Sequence, residues 1–158
     1  MSRIVLIVAL SGVTRCGPAS SPAPSIPRPS AADVAGAWTG TSRVTNCDML
    51  SGSARCNAVN NIALLISQNG AQLTGKYTCA IGNMICRHGG ADDSGRIESG
   101  SISGNRLNLS VMIPADLSNC YFSGSTTSPT QANGVYMCYQ GGLQVEEGEW
   151  NVSRAAAD

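Results

Sequence analysis

The stretch that decides the fold is NIALLISQNGAQLTGKYTC, residues 61–79. Both halves alternate apolar and polar side chains, which is the period of a β-strand with one buried face. Between them, Asn69-Gly70 favours the positive φ angles of a two-residue type I′ turn, so the strand that ends at Gln68 should fold straight back at Ala71. The predicted pairs put the apolar side chains on one continuous face: Ile66 with Leu73, Leu64 with Gly75, and Ile62 with Tyr77.

The same alternation recurs along the chain, separated by turn residues at the spacing of a small all-β domain. Gly104-Asn105 predicts a second tight turn, with Ile102 facing Leu107. No stretch has sustained helical periodicity. The eight predicted strands are GAWTGTSRVTNC, NIALLISQ, QLTGKYTC, RIESGSIS, RLNLSVMI, NCYFSGSTT, GVYMCYQ and EGEWNVSR. An open sheet of eight such strands would have two unpaired edge strands, and closing the sheet into a barrel pairs them with each other. We therefore predict an eight-stranded antiparallel up-and-down β-barrel over residues 33–154, with a short tail at 155–158.

The composition fits one domain with appendages, and the balanced charge argues against a partner that is attracted by long-range electrostatics. The chain has 158 residues, which is the size of one domain, and its ten basic and ten acidic residues balance. No field of one sign would therefore gather nucleic acid or hold the chain to an anionic membrane.

The N-terminus predicts secretion. Arg3 is followed by the uninterrupted apolar run Ile4–Leu10 and then by small residues, as in a signal peptide over residues 1–15. This run is far shorter than the roughly 20 residues that a membrane-spanning helix needs. Residues 16–32 are rich in proline and serine, which predicts a disordered tether.

Val13-Thr14-Arg15-Cys16 resembles the lipobox of bacterial lipoproteins, whose cysteine becomes the acylated first residue of the mature chain. The resemblance implies lipidation at Cys16 and an address in the bacterial cell envelope, anchored to a membrane and facing the periplasm or the exterior. Arg15 departs from the pattern, because the residue before the cysteine is normally small. An ordinary cleaved secretory signal is therefore the alternative.

Seven cysteines in a short chain favour an oxidising compartment. With Cys16 lipidated, six remain, and we expect three local disulfides, although other connectivities are open. The expected bridges are Cys47–Cys56, Cys79–Cys86 and Cys120–Cys138. If Cys47 and Cys56 were paired directly across the first two strands, Trp38 would lie on the face opposite to the apolar side chains of the second strand. A bulge, or a longer irregular loop between these strands, would return Trp38 to the inside.

Gly36-Ala37-Trp38-Thr39-Gly40-Thr41 and Leu73-Thr74-Gly75-Lys76-Tyr77 resemble the first and third strands of calycin-type barrels, the lipocalins and avidins. That resemblance implies that Trp38 plugs or lines one end of the barrel. Trp150, in the last strand, is positioned to pack near it as the barrel closes. Our candidate ligand-binding residues are Trp38, Leu64, Tyr77, Leu109, Tyr136 and Trp150.

The sequence predicts no catalysis, no cofactor and no metal site. His88 is the single imidazole, and although Asp92 and Asp93 lie close to it, its glycine-rich setting is that of an exposed loop. There is no CxxC pair for zinc. Glu146, Glu147 and Glu149 should stay solvated, instead of forming the paired carboxylates of a glycosidase.

We therefore expect a lipid-anchored binding module for a small apolar ligand or a partner protein. Gly40, Gly75 and Gly100 favour some free space inside the barrel. One alternative is a filled barrel whose loops meet another envelope protein. Another is an inhibitor of a lysozyme-type hydrolase, because GVYMC at 134–138 and Ser123-Gly124 resemble the Tyr-x-Cys feature and the Ser-Gly loop of periplasmic lysozyme inhibitors.

Overall fold

The computed structural model describes residues 30–46, 57, 59–79, 93–114 and 117–154. The prediction of an eight-stranded antiparallel barrel is confirmed: each strand pairs with the next, and β1 pairs with β8 to close the sheet. The strands are β1 (Gly36–Val44), β2 (Val59–Asn69), β3 (Gln72–Cys79), β4 (Asp93–Ser103), β5 (Arg106–Ile113), β6 (Ser118–Ser128), β7 (Gln131–Gln140) and β8 (Leu143–Ser153). Within these ranges no helix is long and apolar enough to cross a membrane.

The β2–β3 hairpin forms, but its turn lies one residue later than predicted. Asn69 pairs with Gln72, so the turn residues are Gly70 and Ala71. Only the glycine takes a positive φ, of 59°. The predicted pairs are therefore wrong by two residues: Ile66 lies opposite Gly75, Leu64 opposite Tyr77, and Ile62 opposite Cys79. Because the side-chain period of a strand is two, the same side chains still point inward.

The second predicted turn is correct. Ile102 pairs with Leu107 across Gly104-Asn105, and Gly104 takes a φ of 59°. This turn and those at 70–71 and 129–130 share one end of the barrel, which we call the hairpin end. The links that join β1 to β2 and β3 to β4 leave from the other end, which we call the loop end.

Trp38 points into the barrel. It pairs with Leu64 and is only 1% exposed. The strands β1 and β2 are separated by residues 45–58, and the register of their pairing places Trp38 on the apolar face. The expected partners Cys47 and Cys56 lie outside the described residues.

The expectation of free space at the glycines is wrong. A side-chain carbon at Gly40 would collide with the carbonyl oxygen of Asn151, and one at Gly75 with that of Leu65. At Gly100 it would lie 2.8 Å from both Asn108 O and Leu109 Cδ2. These glycines let neighbouring strands approach closely where the sheet curves, as barrel closure requires. Register shifts in four strand pairs add further bends.

Aromatic rings fill the barrel near mid-height. The Phe122 ring lies 5.5 Å from Tyr136, 5.7 Å from Tyr77 and 6.2 Å from Trp150, measured between centroids. Spacings in this range are those of packed aromatic pairs. One predicted disulfide, Cys120–Cys138, closes across β6 and β7 with an S–S distance of 2.07 Å. Cys79 is also disulfide-bonded; Cys16 and Cys86 lie outside the described residues.

The hairpin end is sealed by the segment before β1. Trp38 Nε1 donates to Val34 O at 2.9 Å. The Arg154 guanidinium lies 4.8 Å above the Trp38 ring and donates to the carbonyl oxygens of Asp33, Ala35 and Pro129. The last residues of the predicted tether, Ala31 and Ala32, pack on the core. This end of the barrel is therefore closed by protein atoms.

Candidate functional site

All six candidate ligand-binding residues point into one interior. Trp38, Leu64, Tyr77, Leu109, Tyr136 and Trp150 are each buried. The structure brings Tyr77, Tyr136 and Trp150 together around Phe122, a residue that the sequence analysis did not select. Trp38 lies apart, at the hairpin end, because Trp150 is level with Ser42, four residues further along β1. Side chains thus occupy the middle of the predicted apolar cavity.

A group of polar side chains lies above the aromatic rings on the side of the loop end. Tyr136 Oη donates to Glu146 Oε1 at 2.7 Å, and Ser42 is near enough to lower the pKa of this hydroxyl slightly. Ser42 lies directly opposite Asn60 of β2, and both side chains face inward. We call Ser42, Asn60, Tyr136 and Glu146 the mouth cluster.

Asn60 has an unusual environment. It is 3% exposed, and its Oδ1 has no hydrogen-bond partner in the described part of the chain. A buried acceptor left unpaired costs about 1–3 kcal/mol. Native proteins seldom tolerate this cost unless a water molecule or a ligand supplies the missing donor. Asn60 therefore marks a buried position at which a donor from a water molecule or another group would be favourable.

The surroundings of Tyr136 in the mouth cluster keep its phenolic hydroxyl neutral. Burial raises the pKa of Tyr136, and the adjacent Glu146 carboxylate raises it further by charge and by hydrogen bonding, against an opposing effect from Ser42. The phenol consequently remains a donor to Glu146 across the physiological range. The cluster then presents the acceptor oxygen of Asn60 beside aromatic surface.

The three glutamates of β8 do not share one environment, which corrects the expectation that all stay solvated. Glu146 is only partly exposed and accepts the Tyr136 hydrogen bond. Glu147 accepts from Gln144 at 3.1 Å, while the exposed Glu149 forms an ion pair with Arg43. Glu146 is in phase with the inward-facing Gly148 and Trp150 and lies opposite Cys138, so strand alternation turns it towards the interior, whereas Glu147 and Glu149 alternate to the outer face.

Ser123 and Gly124 do not form the loop that the inhibitor resemblance implies. They lie in the middle of β6, paired with Val135 and Gly134 of β7. Ser123 Oγ donates to Asn108 Oδ1 on the outer wall. His88 and Asp92 lie outside the described residues, within which no group of three or more His, Cys, Asp or Glu side chains could hold a metal ion.

The sequence analysis missed Ser42, Asn60 and Glu146. The first two could have been found by alternation, since Ser42 is in phase with Trp38 and Asn60 is in phase with Ile62. A polar residue at an inward position is the informative exception in a strand. Glu146 carried the same sign, since it is in phase with Trp150.

No protein-family model matches the chain, and no curated protein matches it. Among solved structures, it is similar to a redesigned β-barrel, with a TM-score of 0.56 and 13% identity over 78% of this chain and 92% of that chain. It is also similar to EF1p2_mFAP2b bound to DFHBI, with a TM-score of 0.58 and 10% identity over 77% of this chain and 94% of that chain. At these identities the likeness shows the fold alone, a small β-barrel.

Proposed function

We propose that this protein is a non-catalytic binding module of the bacterial cell envelope, anchored by a lipid on Cys16, which takes a small ligand at the loop end of its barrel. The observation that carries the ligand site is the buried, unpartnered Oδ1 of Asn60. The sealed hairpin end supports the choice of end, because Trp38 and Arg154 close it. That seal also supports kinship with calycin-type barrels, in which a tryptophan near the first strand plugs one end.

The chemistry of the mouth cluster refines the class of ligand. Asn60 Oδ1 can accept a hydrogen bond, while Tyr77 and Phe122 offer aromatic rings near it. A small, mainly apolar molecule that carries one N–H or O–H donor suits both parts. Apolar pockets with a few placed polar groups are the usual form of small-molecule sites. A bound water molecule could donate the hydrogen bond to Asn60 equally well. In that case the barrel holds no ligand, as the filled-barrel alternative expects.

A fluorescence titration with N-phenylnaphthylamine, an apolar dye with one N–H donor, separates these alternatives. We expect saturable binding to the wild-type protein and at least about tenfold weaker binding to Asn60→Leu, because one hydrogen bond to a buried acceptor is worth about 1.4 kcal/mol or more. Asn61→Leu is the matched control, since Asn61 is the exposed neighbour on the outer face. Absence of saturable binding, or equal affinity of Asn60→Leu and wild type, would refute the site.

A further inference from the structure

One cross-strand row on the outer wall combines apolar and charged side chains. Arg43 lies opposite Val59 of β2 on one side and opposite Glu149 of β8 on the other, and Glu149 lies opposite Val135 of β7. The two valines are 44% and 50% exposed. Arg43 Nη2 lies 2.9 Å from Glu149 Oε2, although both side chains are more than half exposed. We call Val59, Arg43, Glu149 and Val135 the outer row.

The order of the outer row is self-complementary. From β2 to β7 it runs apolar, positive, negative, apolar, at the strand spacing of about 4.8 Å. A two-fold axis that runs parallel to the strands through the midpoint of the ion pair reverses this order. The reversed row then places each charge opposite its counter-charge and each valine opposite a valine. Contacts of this isologous kind are the commonest in homo-oligomers.

We propose that a second copy of this chain binds the outer row, forming a two-fold dimer in which Arg43 of each copy faces Glu149 of the other. The four charges then alternate around a ring, with Val59 of one copy against Val135 of the other at both ends. A groove of about 470 Å³ surrounds the row and gives the long arginine side chains room to extend. This dimer is independent of the ligand site inside the barrel.

The energetics favour a ring over the isolated pair. A single exposed ion pair contributes about 0–1 kcal/mol, and only networks or well-fixed geometries contribute more. On the hairpin-end side of the row the neighbouring side chains carry no charge, so no like charges would meet across that part of the interface. They are Asn61, Thr41, Asn151 and Asn133, which form the next row of the same four strands.

Charge reversal tests the dimer through complementary variants. By analytical ultracentrifugation over a concentration series, we expect a reversible dimer for the wild-type protein. Arg43→Glu and Glu149→Arg should each dimerise at least about tenfold more weakly, since each variant places like charges face to face. An equimolar mixture of the two variants should recover the dimer, because each acidic position of one then faces a basic position of the other. Within each variant chain, positions 43 and 149 carry the same charge, so the intrachain ion pair is absent from both. Repair of that pair therefore cannot explain why the mixture dimerises.

Lys76→Glu is the matched control, because Lys76 is an exposed basic residue on the outer face of β3, away from the outer row. It should dimerise like the wild type. Near-ultraviolet circular dichroism verifies that every variant is folded. A wild-type protein that stays monomeric, a dimer that persists in both single variants, or folded variants whose mixture remains monomeric would each overturn the proposal. Unchanged dye binding in the monomeric variants would show that the two sites are separate.

Discussion

At the scale of the residue, the barrel depends on glycines over which aromatic rings lie. A side-chain carbon at Gly148 would lie 2.5 Å from Cε1 of Tyr136, and one at Gly124 would lie 2.6 Å from Cζ2 of Trp150. Covering a strand glycine with an aromatic side chain from the neighbouring strand restores the packing that glycine lacks. At Gly148 and Gly124 the rings thus occupy the space that a side chain of the glycine position would take.

Gly148→Ala should therefore destabilise the protein. The added methyl group meets the Tyr136 ring and also the backbone of β1 at Arg43, so we expect a loss of about 2 kcal/mol or more in the free energy of unfolding. Urea denaturation followed by tryptophan fluorescence measures it. Ser101→Ala, at an exposed strand position, is the control and should change stability by less than about 0.5 kcal/mol. Equal stability of the two variants would contradict the packing described here.

The raised pKa of Tyr136 predicts that the free energy of unfolding falls at alkaline pH. Its pKa in the folded state is raised, chiefly by burial, whereas in the unfolded chain it should titrate near 10. Above about pH 10 the unfolded state therefore loses a proton that the folded state keeps, and stability falls as pH rises, by up to about 1.4 kcal/mol per pH unit for this group. Tyr136→Phe should have a shallower decline between about pH 10 and 11. Parallel declines would exclude Tyr136 as the cause.

At the scale of the element, the β2–β3 hairpin shows where the sequence was sufficient and where it was not. Alternation identified both strands and their inward face. It could not fix the register, because a slip of two residues returns every side chain to the same face. The structure resolves the ambiguity by placing Gly70, instead of Asn69, at the first turn position.

This register predicts unequal effects of two neighbouring substitutions. Gly70→Ala should cost about 1 kcal/mol, since a residue with a β-carbon is strained at a φ of 59°. Asn69→Ala should cost less, because Asn69 is a paired strand residue here. Thermal unfolding of both variants provides the comparison. A larger effect at Asn69 would favour the type I′ turn over the observed one.

The same limits explain the outcome for the candidate site. The alternation of apolar and polar side chains was enough to select the six buried candidate residues, because it reports which face of the sheet a side chain occupies. It does not report what that side chain meets across the barrel. The role of Gly40 depended on the approach of Asn151 from β8, more than a hundred residues away in sequence.

At the scale of the whole molecule, the anchor and the barrel are separable predictions. If Cys16 is lipidated, intact-mass analysis of the membrane fraction should find a chain that begins at Cys16 and carries a diacylglyceryl group. Cys16→Ser should move the protein to the soluble fraction. A wild-type chain with a free thiol at Cys16 would contradict the anchor, and it would leave the barrel and its loop-end site untouched.

The central claim is that the barrel holds its ligand at the loop end, beside Asn60. Heteronuclear NMR during the dye titration tests it with three reporters: the side-chain amide of Asn60, the indole N–H of Trp150, which lies opposite Ser42 of the mouth cluster, and the Trp38 indole N–H at the sealed hairpin end. We predict that the Asn60 and Trp150 resonances shift in parallel with saturation while the Trp38 resonance stays in place. Shifts confined to Trp38, or none in the Asn60 amide at saturating dye, would contradict the account.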